Sequence, residues 1–171
     1  MAATSPLTPE EIAAVRKPYR AASLLPGRAY HDPAIHEFER AEWFRRDWVV
    51  VGREEDAEAP GSYFLTTVDD EPLIVVRGRD SVLRAFYNVC RHRGTAVVEE
   101  PCGKAVRFQC PYHAWIYDLE GRLIRAKHTD DLELAGPDHD FLADHRLVWK
   151  KIRRHQRANH ANRTATVGFG T

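Results

Sequence analysis

Two short stretches, NVCRHRG and FQCPYHAW, each set a cysteine just ahead of a histidine. Cys90 is followed at the second position by His92 and Cys110 at the third by His113, with seventeen residues between the pairs. Thiolate and neutral imidazole are ligands for zinc, iron–sulfur clusters and copper, so residue type alone leaves the metal open. The pattern nonetheless restricts the fold. If the four side chains share one site, two separate loops must leave the same end of a rigid scaffold, the arrangement by which scaffolds commonly present function. The alternative is a pair of buried thiols and two unrelated histidines.

The surrounding segments supply such a scaffold. From Trp48 onward the chain runs WVVVG, YFLTTV, PLIVVRG, VLRAFYNV, AVRFQC and WIYDLEGRLIRA, which are short β-branched and aromatic runs. The turn signals APGS, DDEP, GRDS and LEGR separate them. A succession of hairpins predicts a small antiparallel β-sandwich or barrel, with both Cys/His pairs in loops at strand ends. Two helices are expected ahead of it. In LTPEEIAAV, Thr8 can N-cap, Pro9 suits the first helical position and Glu11 completes a capping box. Asp32 and Pro33 repeat that start signal, and Ile35, Phe38, Trp43 and Phe44 give the second helix an apolar side on which to dock. The fold class is mainly β with N-terminal helices.

Composition narrows the setting. A chain of 171 residues can bury a core without disulfide staples. The start, MAATSPLTPEEIAAV, lacks the basic residues and apolar run of a signal peptide, and no apolar run approaches the ~18 residues that span a bilayer. Cysteines number three, an odd count, and Cys102 in EEPCGK reads as a free surface-loop thiol. A soluble protein of the cytoplasm is expected, where paired Cys and His bind metal more often than they form disulfides. Twenty-five basic residues balance twenty-five acidic ones, yet residues 149–171 hold six basic residues and no acid. That basic end is read as solvated or foreign, so no nucleic-acid or membrane partner is assigned.

Spacing then bears on the metal. Common zinc modules take two Cys from one arm and two His from the other, or use four Cys. Here each arm gives one Cys and one His, which suits a cluster with both thiolates on one iron and both imidazoles on the other, the Rieske [2Fe–2S] arrangement. The flanks agree, since Gly94 permits a tight loop and Pro111 stiffens the second arm. Together YHDPAIHEFERAEWFRRDWVVVG, APGSYFLTTVDDEPLIVVRGRD, LRAFYNVCRHRGT and FQCPYHAWIYDLEGRL resemble the Rieske section of the alpha subunit of ring-hydroxylating oxygenases, over roughly residues 24–148. One departure is Ala114, where that family more often has Gly.

The resemblance implies a Rieske-type sandwich with two cluster-binding loops, a [2Fe–2S] cluster on Cys90, His92, Cys110 and His113, and supporting roles for Tyr117, Trp115 and Arg93. Tyr117 stands where a phenol donates to a ligand thiolate. Trp115 replaces a serine of the respiratory Rieske proteins, and Thr95 and Tyr112 replace their disulfide cysteines, which implies a potential below the respiratory type. Arg91 and Arg93 flank His92 and face either a partner or solvent.

Function follows from the same resemblance. The cluster is expected to relay electrons from a ferredoxin or flavin/NADH reductase to a mononuclear Fe(II), held in relatives by two His and a carboxylate in a larger downstream domain. Full-length relatives form oligomers, commonly trimers. The implied organisation is an N-terminal helical arm (1–45), a Rieske domain (46–148) and a basic tail of disordered or foreign character (149–171). Ending at Thr171, the chain reads as an interrupted oxygenase with no strand to follow Leu147 and Val148. His155 and His160 have an H-x4-H spacing, but no acid follows Asp144, so no catalytic residue is assigned. Two other readings compete. A free-standing Rieske ferredoxin is disfavoured by the helix–connector–helix start and by CPYHAW, and a zinc-stabilised binding module would have no redox role. Aromatic rings and quaternary amines both remain as substrates by family resemblance.

Overall fold

Both helices begin at the caps that the sequence marks. The computed structural model describes residues 4–127, 147, 149–156 and 163–168. Helix α1 (Pro9–Val15) opens on Thr8, whose hydroxyl accepts from the Glu11 N–H at 3.3 Å, while the Glu11 carboxylate accepts from the Thr8 N–H at 2.8 Å. Each bond satisfies an amide left over by the first turn. Helix α2 (Pro33–Glu39) opens on Asp32, which accepts from the Ala34 N–H at 2.9 Å, and it runs on into a π-helical turn, Arg40–Phe44. On the apolar side of α2, Ile35 is buried, whereas Trp43 and Phe44 are exposed. These elements form one unit that ends at Trp48.

The second unit, Val49–Gly168, is built of antiparallel strands. Its strands are β1 (Trp48–Arg53), β2 (Ser62–Val68), β3 (Glu71–Arg77), β4 (Leu83–Tyr87), β5 (Cys102–Lys104), β6 (Phe108–Gln109), β7 (Ile116–Tyr117), β8 (Leu123–Arg125), β9 (Trp149–Gln156) and β10 (Arg163–Gly168). Among the described residues one sheet takes the order β1-β10-β9-β4-β3-β2-β5, and a second, smaller sheet the order β6-β7-β8. The turn signals of the sequence fall where the chain reverses. Gly61, Asp69, Ser81 and Gly121, one in each signal, carry a positive φ.

Strand β3 shows why this sheet holds. Leu73, Ile74, Val75 and Val76 are all fully buried, so both faces of the strand are covered and each side chain contributes roughly 1.5–3 kcal/mol of transfer free energy. Ile74 pairs with Phe86 on β4 and Val76 with Tyr63 on β2. These residues join Phe108, Tyr117 and Leu123 of the small sheet in one core, which also contains Cys90 and Cys110. A buried ion pair ties in the short helical turn Glu54–Ala57: Arg77 donates to Glu54 Oε1 at 3.2 Å, to the Ala57 carbonyl at 2.5 Å and to the Ser81 carbonyl at 3.1 Å. Among the described residues no helix is long and apolar enough to cross a membrane.

Two expectations need correction. The end of the chain does not lack regular structure, because β9 and β10 form a hairpin, with Val167 opposite Ile152, and β9 pairs with β4 through Ala85–Lys150 and Phe86–Trp149. The second unit accordingly runs to Gly168 rather than stopping at 148. The physical reason is backbone pairing: β4 would otherwise expose a row of unpaired N–H and C=O groups, and these recruit a strand whatever its side chains. The other correction concerns Cys102, which is exposed and free but sits on edge strand β5, opposite Phe64, rather than in a loop.

Candidate metal centre

The first Cys/His arm leaves β4 and runs from residue 88 to 98; the second is the connection between β6 and β7, from residue 110 to 115. Their backbones fold alike. In the first, the Cys90 N–H donates to the Thr95 carbonyl at 2.7 Å and the Gly94 N–H to the Cys90 carbonyl at 3.0 Å. In the second, the Cys110 N–H donates to the Trp115 carbonyl at 2.8 Å and the Ala114 N–H to the Cys110 carbonyl at 3.0 Å. Each cysteine thus opens a one-turn loop closed four residues on by a left-handed residue, Gly94 at φ 73° and Ala114 at φ 55°. The histidine sits at the second position of one turn and the third of the other.

These twin turns bring all four side chains together. Cys90 and Cys110 are buried at the inner side, each 2% exposed, and Cys110 is close enough to help raise the pKa of the Cys90 thiol. His92 and His113 lie further out, half-buried, with ring centroids 4.5 Å apart and planes at 76°. Nδ1 of His113 is buried and has no hydrogen-bond partner among the described residues. A buried ring nitrogen left without a partner is costly unless a ligand takes it. Two thiols on one side and two imidazoles on the other is the division a binuclear iron–sulfur centre uses, two protein ligands to each iron.

The supporting residues separate into two that touch the site and one that does not. Tyr117, on β7, is fully buried; its hydroxyl lies 3.3 Å from Cys90 Sγ and accepts from the Arg91 N–H at 3.1 Å. Once Cys90 is a thiolate it has no proton to give, and the phenol is then the donor of that bond. Burial, then the bond to Cys90, holds that phenol well above its ordinary pKa, so it stays a donor at neutral pH. Burial likewise pushes the Cys90 thiol up, and the Tyr117 bond opposes the rise. The Trp115 indole stacks on the His92 ring at 4.7 Å and 14°. Arg93 instead points to solvent, as does Arg91. Asn88 escaped the reading of the sequence; its position two residues ahead of Cys90 was the available signal.

Residues 47–136 match the family described as the Rieske [2Fe-2S] domain. The chain belongs to that family. Its Rieske section is 42% identical over 102 residues to the glycine betaine monooxygenase oxygenase subunit of Chromohalobacter salexigens, covering 60% of this chain and 23% of the relative. It is 38% identical over 101 residues to the benzene 1,2-dioxygenase subunit alpha of Pseudomonas putida, covering 59% of this chain and 22% of the relative. Among solved structures, the quaternary ammonium Rieske monooxygenase CntA in complex with L-carnitine superposes with a TM-score of 0.71 at 30% identity, over 84% of this chain and 38% of that one. Naphthalene 1,2-dioxygenase from Rhodococcus sp. bound to indole gives 0.73 at 25% identity, over 85% of this chain and 31% of that one. The Rieske chain therefore spans about a quarter of the length of the curated relatives it matches.

Proposed function

We propose that Cys90 and Cys110 hold one iron and His92 and His113 the other iron of a Rieske [2Fe–2S] cluster, and that this section relays electrons to a mononuclear-iron oxygenase site. The observation that carries the assignment is the convergence of the two arms, with buried thiols inside and an unpartnered His113 Nδ1. When bound, such a cluster accepts and passes on one electron at a time, at a potential raised by the neutral imidazoles. The chain's own residues do the rest. Tyr117 places its hydroxyl against the Cys90 sulfur, where donation stabilises negative charge. The buried core around both cysteines keeps water from that side, while the half-buried histidines form the side nearest solvent.

Electron exchange at the histidine side follows from that orientation, with a ferredoxin or a flavin/NADH reductase as donor. The acceptor site belongs to the oxygenase alpha subunit of which we take this to be the Rieske section, a subunit expected to work as an oligomer in the cytoplasm. Its substrate is an aromatic ring or a quaternary amine, the two classes that the names of the matched relatives contain. The test is spectroscopic. Protein purified without oxygen should hold two irons and two labile sulfides per chain, absorb in the visible, and give a Rieske-type EPR signal after dithionite. Cys90→Ser and His113→Ala should each abolish it. Colourless protein carrying one zinc per chain would overturn the assignment in favour of a structural metal site.

A further inference from the structure

The first arm is closed by a side chain as well as by backbone bonds. Past Gly94 the first loop continues through Thr95 and Ala96 to Val98, so the Cys90-to-Thr95 bond leaves its outer half untied. Asn88 ties it. Its side-chain oxygen accepts from the N–H groups of both Val97 and Val98 at 2.9 Å, and its amide nitrogen donates to the Val98 carbonyl at 2.7 Å. Two donors and one acceptor admit only this orientation of the carboxamide. The residue is 5% exposed, and its own N–H donates to the Pro72 carbonyl, which anchors the clasp on the sheet at β3. In the second arm the six residues from Cys110 to Trp115 return directly into β7, and backbone bonds join their two ends.

We propose that Asn88 is the positioning residue of the first arm: its carboxamide closes residues 88–98 into a fixed ring and thereby sets where Cys90 and His92 stand. The proposal rests on reading those two residues as cluster ligands. Val97, which the clasp holds, is buried in the same core as Cys90, so the ring ties the ligand loop to the packed interior. Loss of the clasp removes none of the four ligand side chains but frees the loop that carries two of them.

Asn88→Ala and Asn88→Asp, made in the full chain, test this. In Asn88→Ala the amides of Val97 and Val98 should exchange with deuterium roughly tenfold faster or more, through local opening. The reduced protein should show shifted g-values and broadened EPR lines, and a ferrous chelator should strip its iron roughly tenfold faster, as expected when more than one hydrogen bond is lost. Val75→Ala, a truncation in β3 of a buried side chain outside the core cluster that holds Cys90 and Val97, serves as the control: at a similar loss of global stability it should leave the EPR line shape unchanged. A Val75→Ala spectrum that changes as Asn88→Ala does would reduce Asn88 to a structural residue. Unaltered exchange and EPR in Asn88→Ala would overturn the proposal outright. Should Asn88→Ala not accumulate, Asn88→Asp decides, because its carboxylate keeps both accepted bonds but faces the Val98 carbonyl; a wild-type spectrum there also refutes the clasp. If the unmutated chain loads no cluster, the ligand assignment fails instead, and the exchange rates of the metal-free protein still decide whether Asn88 closes the loop.

Discussion

Ala114→Gly should stabilise this protein, although it removes a methyl group beside the metal centre. Ala114 has φ 55°, in the left-handed region, where an L-residue with a Cβ pays about 1–2 kcal/mol. Glycine relieves that strain but loses about 0.4–1 kcal/mol to the greater freedom of the unfolded chain. The net gain is about 1 kcal/mol, or about 0.5 M in urea midpoint at a slope of about 2 kcal/mol per M. Gly94 offers the converse in the twin turn. A Cβ built there meets nothing within 4 Å, so Gly94→Ala carries the torsional cost of about 1–2 kcal/mol, offset by about 0.4–1 kcal/mol from the stiffer unfolded chain, a net loss of about 1 kcal/mol. At Gly121 the same substitution adds a steric term, because a Cβ would overlap the Phe86 ring in the core; the loss there should reach about 3 kcal/mol. Anaerobic urea unfolding of the loaded protein, followed by far-ultraviolet circular dichroism, gives the three midpoints. The reasoning fails if Ala114→Gly lowers the midpoint, or if Gly94→Ala costs as much as Gly121→Ala.

Three further outcomes are expected. Tyr117→Phe removes the hydroxyl beside Cys90 Sγ and should lower the cluster midpoint by roughly 60 mV in an EPR-monitored redox titration, equivalent to about 1.4 kcal/mol in a one-electron couple; an unchanged potential would mean the phenol donates elsewhere. Arg77→Ala strips the buried Glu54 carboxylate of its guanidinium and should cost about 3–5 kcal/mol by denaturation, whereas Arg77→Met with Glu54→Leu should cost much less. Asp80 is held well below the usual carboxylate range, first by its bond to the Arg84 side chain and then by the Val82 N–H. A depressed folded pKa adds stability above about pH 4 that is lost as pH falls toward the lower folded value, so urea midpoints measured from pH 6 to pH 2 should drop less steeply in Asp80→Asn.

Most of the scaffold could be read from the sequence, because its cues are local. Thr8, Glu11 and Asp32 announce their helices through side-chain chemistry that acts within three residues. Strands β2 and β3 announce themselves by β-branched runs bounded by turns, and the four positive-φ turn residues lie in the four turn signals. Long-range effects were harder to see. The segment WKKIRRHQ is charged at half of its positions, and what makes it strand β9 is the open edge of β4, more than sixty positions earlier in the chain. RTATVG did carry a cue, the β-branched Thr164, Thr166 and Val167, which the surrounding basic residues obscured. Cysteine and histidine identities named the ligand candidates, but the stacking of Trp115 on His92 and the reach of Asn88 to Val98 depend on how loops close in three dimensions.

The twin turns explain how so short a motif can assemble a four-ligand site. Both cysteines open the same hydrogen-bonded turn, so both thiols point inward from equivalent positions and meet in the core. The histidines do not occupy equivalent positions, being second in one turn and third in the other. That offset of one residue brings the two rings to the site from different directions, crossed rather than parallel. Displaced in this way, the rings meet at 76° with centroids 4.5 Å apart. The unequal spacing of C-x-H and C-x-x-H therefore does structural work: one repeated backbone turn supplies a symmetric pair of thiolates and an asymmetric pair of imidazoles. Moving the second histidine to match the first, by exchanging Tyr112 and His113, should keep the thiol pair and leave the imidazole iron without one of its ligands. Iron content below two per chain with no Rieske EPR signal is the expected result, and a normal signal from the exchanged protein would refute the offset argument.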